Sequence, residues 1–284
     1  MFKKLTFFAL VAVLAASCSK TQNQTLVPVN VKVNDFHITI DTFSDTKATL
    51  PSAYDGITKL TLAFYSGGTE VYSATQSKTD DGYGTFSLAL PMGSYTMVAL
   101  GYYGMESSPL TLTSPTEASY TGLRALETFA HTQSVNISNT SAVNLNATLD
   151  RICAQLQVVS TDGRTENANN IRMTFGAGSK SFNPTTGLAL DDNGFSNTVS
   201  ISAAAGASST SKSFLFLSAD EETMDVTIET LDAQGHTLST TTVNNVTFKR
   251  NRVTKLTGPM YTNTGVGSSF LLNTGWLTEA TVNF

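Results

Sequence analysis

VPVNVKVNDFHITI, residues 27–40, is the stretch that decides the fold class. Val27, Val29, Val31 and Val33 occupy alternate positions, and polar residues separate them from Val29 onward. Successive side chains of a strand point to opposite faces, so this period of two predicts a strand with one apolar face. Because the pattern occurs so early, we expect the first folded element of the chain to be a core strand.

The same alternation recurs along the whole chain. Asp-Gly and Asn-Gly pairs, typical of tight turns because glycine accepts positive φ, separate several of the apolar runs. Residues 121–132 alone could carry a short helix or an irregular connection, and the small-residue stretch 201–213 is predicted to be a loop. These patterns predict an all-β protein. The further predicted strands are residues 57–65, 85–91, 94–103, 170–176, 213–219, 224–232, 236–243 and 245–258.

A second set of strands begins near Asp150. In DRICAQLQVV, residues 150–159, apolar positions again alternate with more polar ones. About 265 residues after a leader are enough for two domains of roughly 100–150 residues each. We therefore expect two tandem β-sandwich domains with Greek-key connections, spanning residues 27–149 and 150–284.

The N-terminus indicates export. Lys3 and Lys4 precede an apolar run over residues 5–14, which is too short to cross a bilayer and is followed by small residues and Cys18. Ala-Ala-Ser-Cys resembles the lipobox of bacterial lipoproteins, in which the cysteine thiol is lipidated. Residues 1–17 are then a signal peptide and residues 18–26 a lipidated tether; the alternative is a generic signal peptide with an incidental cysteine.

Charge and cysteine content narrow the function further. The formal net charge is −5, and removing residues 1–17 takes away two lysines and no acidic residue, which leaves −7. An acidic chain without a basic cluster is a poor nucleic-acid binder. Once Cys18 is lipidated, Cys153 is the single remaining thiol, so stability must come from apolar cores rather than disulfides.

Metal-binding and phosphate-binding patterns are weak. The three histidines are scattered, and none lies in an H-x-x-H or C-x-x-C setting. LDDNG, residues 190–194, offers oxygen ligands but lacks the alternating positions and distal Glu of a calcium loop, so we expect a turn. GAGSKS, residues 176–181, lacks the Gly-Lys-Ser/Thr order of a phosphate-binding loop. The histidines are His37, His131 and His236.

Catalytic patterns are equally weak, so we expect a protein that is not an enzyme. Ser209 and Lys212 match a Ser-x-x-Lys pattern, but in a serine-rich loop where chance explains it. Glu221, Glu222 and Asp225 form an acidic run that could be read as a glycosidase carboxylate pair, although such runs are usually solvated. A hydrolase would need a cleft with paired carboxylates.

Aromatic residues suggest one alternative of a different class. Tyr102 and Tyr103 follow each other at the end of a predicted strand and could form a small sugar platform. Tyrosines in strands are, however, commonly packed in the core or paired on the surface. The chain has one tryptophan, Trp276.

Taken together, four features resemble the fimbrillin superfamily of Bacteroidales, the lipoprotein-derived subunits, tips and anchors of type V pili. The first is the lipobox with its tether and first strand. The others, in order, are ITKLTLAFYSGGTEVYSA (57–74) with LPMGSYTMVALGYYG (90–104), DRICAQLQV (150–158) and VTFKRNRVTKLTG (246–258). The resemblance covers most of residues 27–284 and rests on the order and spacing of the motifs.

The resemblance implies two transthyretin-like Greek-key β-sandwich domains and assembly by donor-strand addition. In the family, a protease removes the first strand and a neighbouring subunit supplies its replacement. Lys47, in the polar segment 40–51, is the corresponding candidate for cleavage; otherwise it is an ordinary loop lysine and the protein stays anchored through Cys18. The C-terminal stretch 268–284 is either a closing edge strand or a donated one.

The sequence thus predicts an outer-membrane lipoprotein that acts as a structural or adhesive component of fimbriae. Ser19, rather than Asp, after Cys18 favours the outer membrane. No cofactor is implied, and the expected partners are other fimbrial subunits. The alternative is a cell-surface polysaccharide-binding lipoprotein.

Overall fold

The computed structural model describes residues 25–37, 56–262 and 271–273. All regular secondary structure in these ranges is β, which confirms the all-β prediction. Of the predicted helix or irregular connection over residues 121–132, residues 121–127 form an irregular connection, whereas residues 128–132 belong to a strand. Over the described part of the chain, there is no helix that is long and apolar enough to span a membrane.

The first half of the chain contributes nine strands, and the alternation seen in the sequence places their apolar side chains inward. Their bounds are β1 Leu26–His37, β2 Lys59–Ser66, β3 Thr69–Ser77, β4 Thr85–Pro91, β5 Gly93–Tyr102, β6 Leu110–Ser114, β7 Glu117–Tyr120, β8 Thr128–Ile137 and β9 Val143–Arg151.

Seven of these strands form one sheet in the order β3-β2-β5-β8-β9-β1-β4. Strands β8 and β9 pair at only two positions, Phe129 with Arg151 and Ala130 with Asp150. The sheet curls at this weak seam, so that side chains from β1, β4 and β9 share one apolar core with those of β2, β5 and β8. Phe64, Met97 and Leu149 are among its fully buried members.

The second half contributes nine more strands. Their bounds are β10 Ala154–Ser160, β11 Asn170–Phe175, β12 Ser181–Phe182, β13 Phe195–Ser200, β14 Thr210–Leu215, β15 Glu221–Leu231, β16 Thr237–Lys249, β17 Val253–Gly258 and β18 Leu271–Asn273. Two four-stranded sheets result, in the orders β14-β10-β17-β18 and β13-β11-β15-β16. Buried side chains of both sheets, such as Leu156 and Phe175, form a second core.

A third apolar core joins the two halves. Strand β12 of the second half pairs with β7 of the first, giving a three-stranded sheet in the order β12-β7-β6. Phe182 and Phe216 stack with ring centroids 4.2 Å apart, and Tyr120 stacks on Phe216. Outward side chains of β2 and β5 and the buried Cys153 complete this core. The expected domain boundary at residues 149–150 falls inside β9, and it stays a prediction.

Candidate functional site

Strand β1 occupies a slot between two other strands. It pairs antiparallel with β4, from Leu26 opposite Pro91 to Lys32 opposite Thr85. On its other side it pairs parallel with β9, which begins more than 100 residues later in the chain. Because both edges of β1 are hydrogen-bonded, the first strand that the structure describes is an interior strand of its sheet.

The apolar face of β1 supplies one row of the first core. Val27, Val29 and Val31 have no exposed surface, and Val33 is 3% exposed. Phe36 is also fully buried, and its ring meets that of Phe129 edge-on with centroids 5.2 Å apart. The row of four valines predicted from the sequence is therefore confirmed.

Space for Phe36 depends on a glycine in β5. A Cβ atom built on Gly101 would lie 3.0 Å from Cε1 of Phe36 and 3.2 Å from Cδ2 of Leu149. Since such contacts are tighter than most Cβ atoms tolerate, any larger residue at this position would crowd the ring. The absence of a side chain at Gly101 thus shapes the deep end of the slot.

The polar face of β1 carries amide pairs that fix its position against β9. Nδ2 of Asn30 donates to Oδ1 of Asn144 over 3.1 Å, and Nδ2 of Asn34 donates to Oδ1 of Asn146 over 2.9 Å. On the other flank, the Ser87 hydroxyl donates to Asn30 Oδ1 over 3.1 Å. A strand shifted by one residue would lose these pairs and turn its valines to solvent.

A bulge interrupts the pairing with β9 between Val33 and Asp35, and Phe36, beyond the bulge, is buried in the core. Before the bulge, the Val33 N–H donates to the carbonyl oxygen of Gly84 over 2.8 Å. Gly84 has φ +89°, which non-glycine residues rarely adopt. The slot therefore specifies a run of alternating apolar residues followed by one extra residue.

Sequence reasoning missed the partner strand of β1 and the asparagines that hold it. The signal was present in VNLNATL, residues 143–149, where asparagines alternate as they do in β1. Cys18, Lys47, Trp276 and the side chain of His37 lie outside the described residues. Of the C-terminal stretch 268–284, residues 271–273 form β18 at the edge beside β17, and the rest lies outside the described residues.

The two tyrosines proposed as a sugar platform face different ways. Tyr102 is 8% exposed, contributes to the third core, and shares a 3.3 Å hydrogen bond between its hydroxyl and that of Thr61. Tyr103 is 42% exposed. Because Tyr102 is packed in that core and Tyr103, just beyond the end of β5, is exposed, the pair does not form one flat exposed surface.

The acidic residues considered for metal binding or catalysis are engaged by the protein. Asp192 Oδ1 accepts from the Gly178 N–H, and Asp191 Oδ2 accepts from the Ser179 hydroxyl over 3.0 Å. These contacts hold residues 190–194 as an irregular connection that begins with a bend, and not as the hydrogen-bonded turn that was expected. No cluster of three or more metal-ligating side chains lies within the described ranges.

The acidic run at the start of β15 is divided among separate partners. Glu221 pairs with Lys249 at 2.7 Å, and Asp225 accepts from the Asn245 N–H. Glu222 accepts from the backbone and hydroxyl of Ser218. Burial, and also the neighbouring carboxylate of Asp192, raise the pKa of Glu222. The run therefore does not act as one pair of adjacent carboxylates.

The remaining candidates are also dispersed. The Ser209 hydroxyl is buried and bonded to the Tyr261 hydroxyl, whereas Lys212 is exposed. His236 Nδ1 contacts Asp232 Oδ2 at 2.9 Å on the surface. His131 is half-buried in the wall of a cleft of about 520 Å³ beside β9. In GAGSKS, Lys180 donates to the carbonyl oxygen of Gly122 and so acts structurally.

Solved structures share this fold. A candidate adhesin from Bacteroides ovatus has a TM-score of 0.51 at 12% identity, covering 81% of this chain and 88% of that chain. A candidate polysaccharide-binding protein of family DUF1812 from Bacteroides thetaiotaomicron has a TM-score of 0.50 at 11% identity, covering 88% and 96%. The fimbrial anchor protein Mfa2 from Porphyromonas gingivalis has a TM-score of 0.50 at 9% identity, covering 87% and 95%.

Identities this low establish a common fold alone. No curated protein is similar enough in sequence to match. Family membership follows from a match over residues 28–280, nearly the whole of the described structure. The chain belongs to a protein family of unknown function, DUF6562.

Proposed function

We propose that this protein is a structural or adhesive component of surface fimbriae, as subunit, tip or anchor, and that it associates with other subunits by β-strand addition. The observation that carries the proposal is the position of β1, the first strand that the structure describes, with both edges paired and five buried apolar side chains. The fold shared with a fimbrial anchor protein and a candidate adhesin supports it. Kinship of the family with the fimbrillin superfamily is part of the same proposal.

The physical basis is the favourable free energy of inserting a strand into the slot between β4 and β9 once β1 has left it. Burying a Val or Phe side chain contributes about 1.5–3 kcal/mol, so the apolar face of β1 contributes roughly 8–15 kcal/mol as an upper estimate. That is comparable with the whole stability of a typical domain. Loss of β1 would also leave unpaired backbone groups on β4 and β9. A strand from a neighbouring molecule would restore both contributions.

The incoming strand must meet the constraints that β1 meets. It would run antiparallel to β4 and parallel to β9, with apolar side chains at alternate positions. At the far end, the space that Phe36 fills favours a large apolar side chain. These requirements give register as well as affinity, because a shift by one residue exposes the apolar row.

Anchoring and architecture complete the proposal. Lipidation of Cys18 would hold the protein at the outer membrane, through acyl chains that together give stable binding. Two tandem transthyretin-like β-sandwich domains are the architecture we propose, supported by separate cores inside the curled seven-stranded sheet and between the two four-stranded sheets. We propose no catalytic activity and no cofactor.

Cleavage after Lys47 would release β1 together with the lipid. The test is limited trypsin digestion of residues 19–284, followed by mass spectrometry and size-exclusion chromatography. One cut after Lys47, loss of the first strand and appearance of oligomers would support a polymerising subunit. Resistance to cleavage at Lys47, or a cleaved protein that stays monomeric, would reject the polymerising subunit and favour a fimbrial anchor.

Polysaccharide binding is a second candidate function, favoured by one observation. The exposed Tyr103 lines a cavity that also holds the cationic side chains of Arg124 and Lys212. Binding of purified polysaccharides to the unlipidated protein, compared with a Tyr103→Ala variant, tests it. A variant that binds every glycan as the parent does would reject this candidate.

A further inference from the structure

A cavity of about 300 Å³ opens where the two halves of the chain meet. Its walls come from the turn after β5, the connection before β8, and strand β14. Two cations, Arg124 and Lys212, share the lining with Tyr103, Met105 and the carboxylate of Glu127. Ligand sites of proteins typically begin at about this volume, with a few polar groups placed among apolar ones.

Arg124 is half-buried and holds unused hydrogen-bond donors. Its Nη2 lies 3.3 Å from Sδ of Met105, a weak acceptor, and the part of the chain that the structure describes places no carboxylate within 4 Å of the guanidinium. Burial lowers its pKa, and the nearby Tyr103 partly opposes this. Charges taken out of water are normally paired, so the N–H groups of this guanidinium are available to donate to an acidic ligand.

Lys212 adds a second positive charge at the same cavity. It is exposed, and no acidic group among residues 25–37, 56–262 and 271–273 forms an ion pair with it. Glu127, the one carboxylate of the lining, lies 2.6 Å from Nη2 of Arg151. The cavity is therefore cationic, in a chain whose formal net charge is −5.

Buried polar side chains connect the backbone segments that carry Arg124 and Lys212. Asn197, which is fully buried, accepts from the Ala125 N–H over 3.2 Å and donates to the Phe214 carbonyl oxygen over 3.0 Å. It thereby ties the segment that carries Arg124 to the strand that carries Lys212. From the other side, the buried Ser108 hydroxyl accepts from the Arg124 N–H over 3.1 Å.

We propose that this cavity binds the carboxylate of an acidic sugar residue, a uronic acid, within a polysaccharide. The planar fork of a guanidinium matches the two oxygens of a carboxylate, and Lys212 adds charge without fixed geometry. The exposed ring of Tyr103 offers an amphipathic surface for the sugar ring. This inference narrows the second candidate function to one site and one ligand class, and it does not depend on strand addition.

The test compares methyl β-D-glucuronide with methyl β-D-glucoside by saturation-transfer NMR titration against residues 19–284. The two probes differ only at C6, which is a carboxylate in the glucuronide and a hydroxymethyl group in the glucoside. We expect the glucuronide to bind at least tenfold more tightly, Arg124→Gln to abolish that preference, and Lys212→Gln to weaken glucuronide binding at least threefold. Lys32→Gln, a change of the same charge at an exposed position of β1, should leave binding unchanged.

Three outcomes would overturn the proposal. Equal affinity for the two probes would reject this site while leaving polysaccharide capture elsewhere possible. Full glucuronide affinity in an Arg124→Gln variant with an unchanged melting temperature would remove the guanidinium from recognition. Displacement of the glucuronide by an equal concentration of acetate would show a general carboxylate site with no role for the sugar.

Discussion

Replacing Phe36 by alanine should destabilise the first half of the molecule strongly. The ring is fully buried, meets Phe129 edge-on, and fills the space left by Gly101. Truncating a buried Phe to Ala costs about 3–5 kcal/mol, because the surrounding structure closes the cavity only in part. With paired sheet edges on both sides, β1 has little freedom to collapse inward. We therefore expect a loss of about 4 kcal/mol.

The assay is urea unfolding of residues 19–284 at pH 7, followed by far-ultraviolet circular dichroism. With an m-value of about 3 kcal/mol per M, the midpoint of the affected transition should fall by about 1.3 M. The control is Lys32→Ala, which removes an exposed side chain from the same strand and should change stability by no more than about 0.5 kcal/mol. A loss below 1 kcal/mol for Phe36→Ala would refute a core role for β1.

Three further predictions concern other described residues. Burial alone would raise the pKa of Asp162, but the N–H groups of residues 260–262 that donate to its carboxylate outweigh this and lower it. Because the folded pKa of Asp162 is depressed, its contribution to the free energy of unfolding, measured against Asp162→Ala, should be complete above the unfolded pKa of about 3.9. The contribution should disappear as the pH falls through the folded pKa. A stability difference between the two proteins that grows on acidification would contradict this. Burial raises the pKa of Cys153 to about 12, so its thiol should react with a disulfide reagent at pH 8 only after unfolding; rapid reaction of the folded protein would show that the third core opens. A Cβ on Gly122 would lie 1.9 Å from the carbonyl oxygen of Ser107, so Gly122→Ala should lower the melting temperature by several degrees, and an unchanged value would show that this turn adapts freely.

Local periodicity predicted many of the strands, among them β1, β2, β5, β10 and β15, but it missed β6 to β9 and β13, and the long-range pairing could not be read from it. The alternation of Val27, Val29, Val31 and Val33 reports which side chains are buried, because strand geometry has a fixed period of two. It carries no information about which strand lies alongside. The parallel pairing of β1 with β9 and the pairing of β7 with β12 join segments far apart in the chain. The third core was missed for that reason.

The candidate sites show the same limit. Adjacent Tyr102 and Tyr103 suggested a platform, although β5 ends at Tyr102 and the structure buries only that residue of the two. Arg124 lies in an irregular segment without a motif, and Lys212 was noted only for its spacing from Ser209. Their shared cavity arises because Asn197 joins two distant segments, and no pattern of neighbouring residues encodes that contact.

The measurement that tests the central claim most directly is strand exchange at the β1 slot. A recognition site for a specific protease is placed within residues 41–55 of the protein 19–284. Cleavage there cuts the chain between β1 and β2 while β1 remains bound between β4 and β9. The cut protein is then incubated in mild urea with an excess of a fluorescent peptide of residues 25–40, or with the same peptide carrying Val29→Asp and Val31→Asp. We predict incorporation of one unmodified peptide per molecule with displacement of the original strand, and no incorporation of the aspartate peptide. Equal incorporation of both peptides, or of neither, would contradict the account.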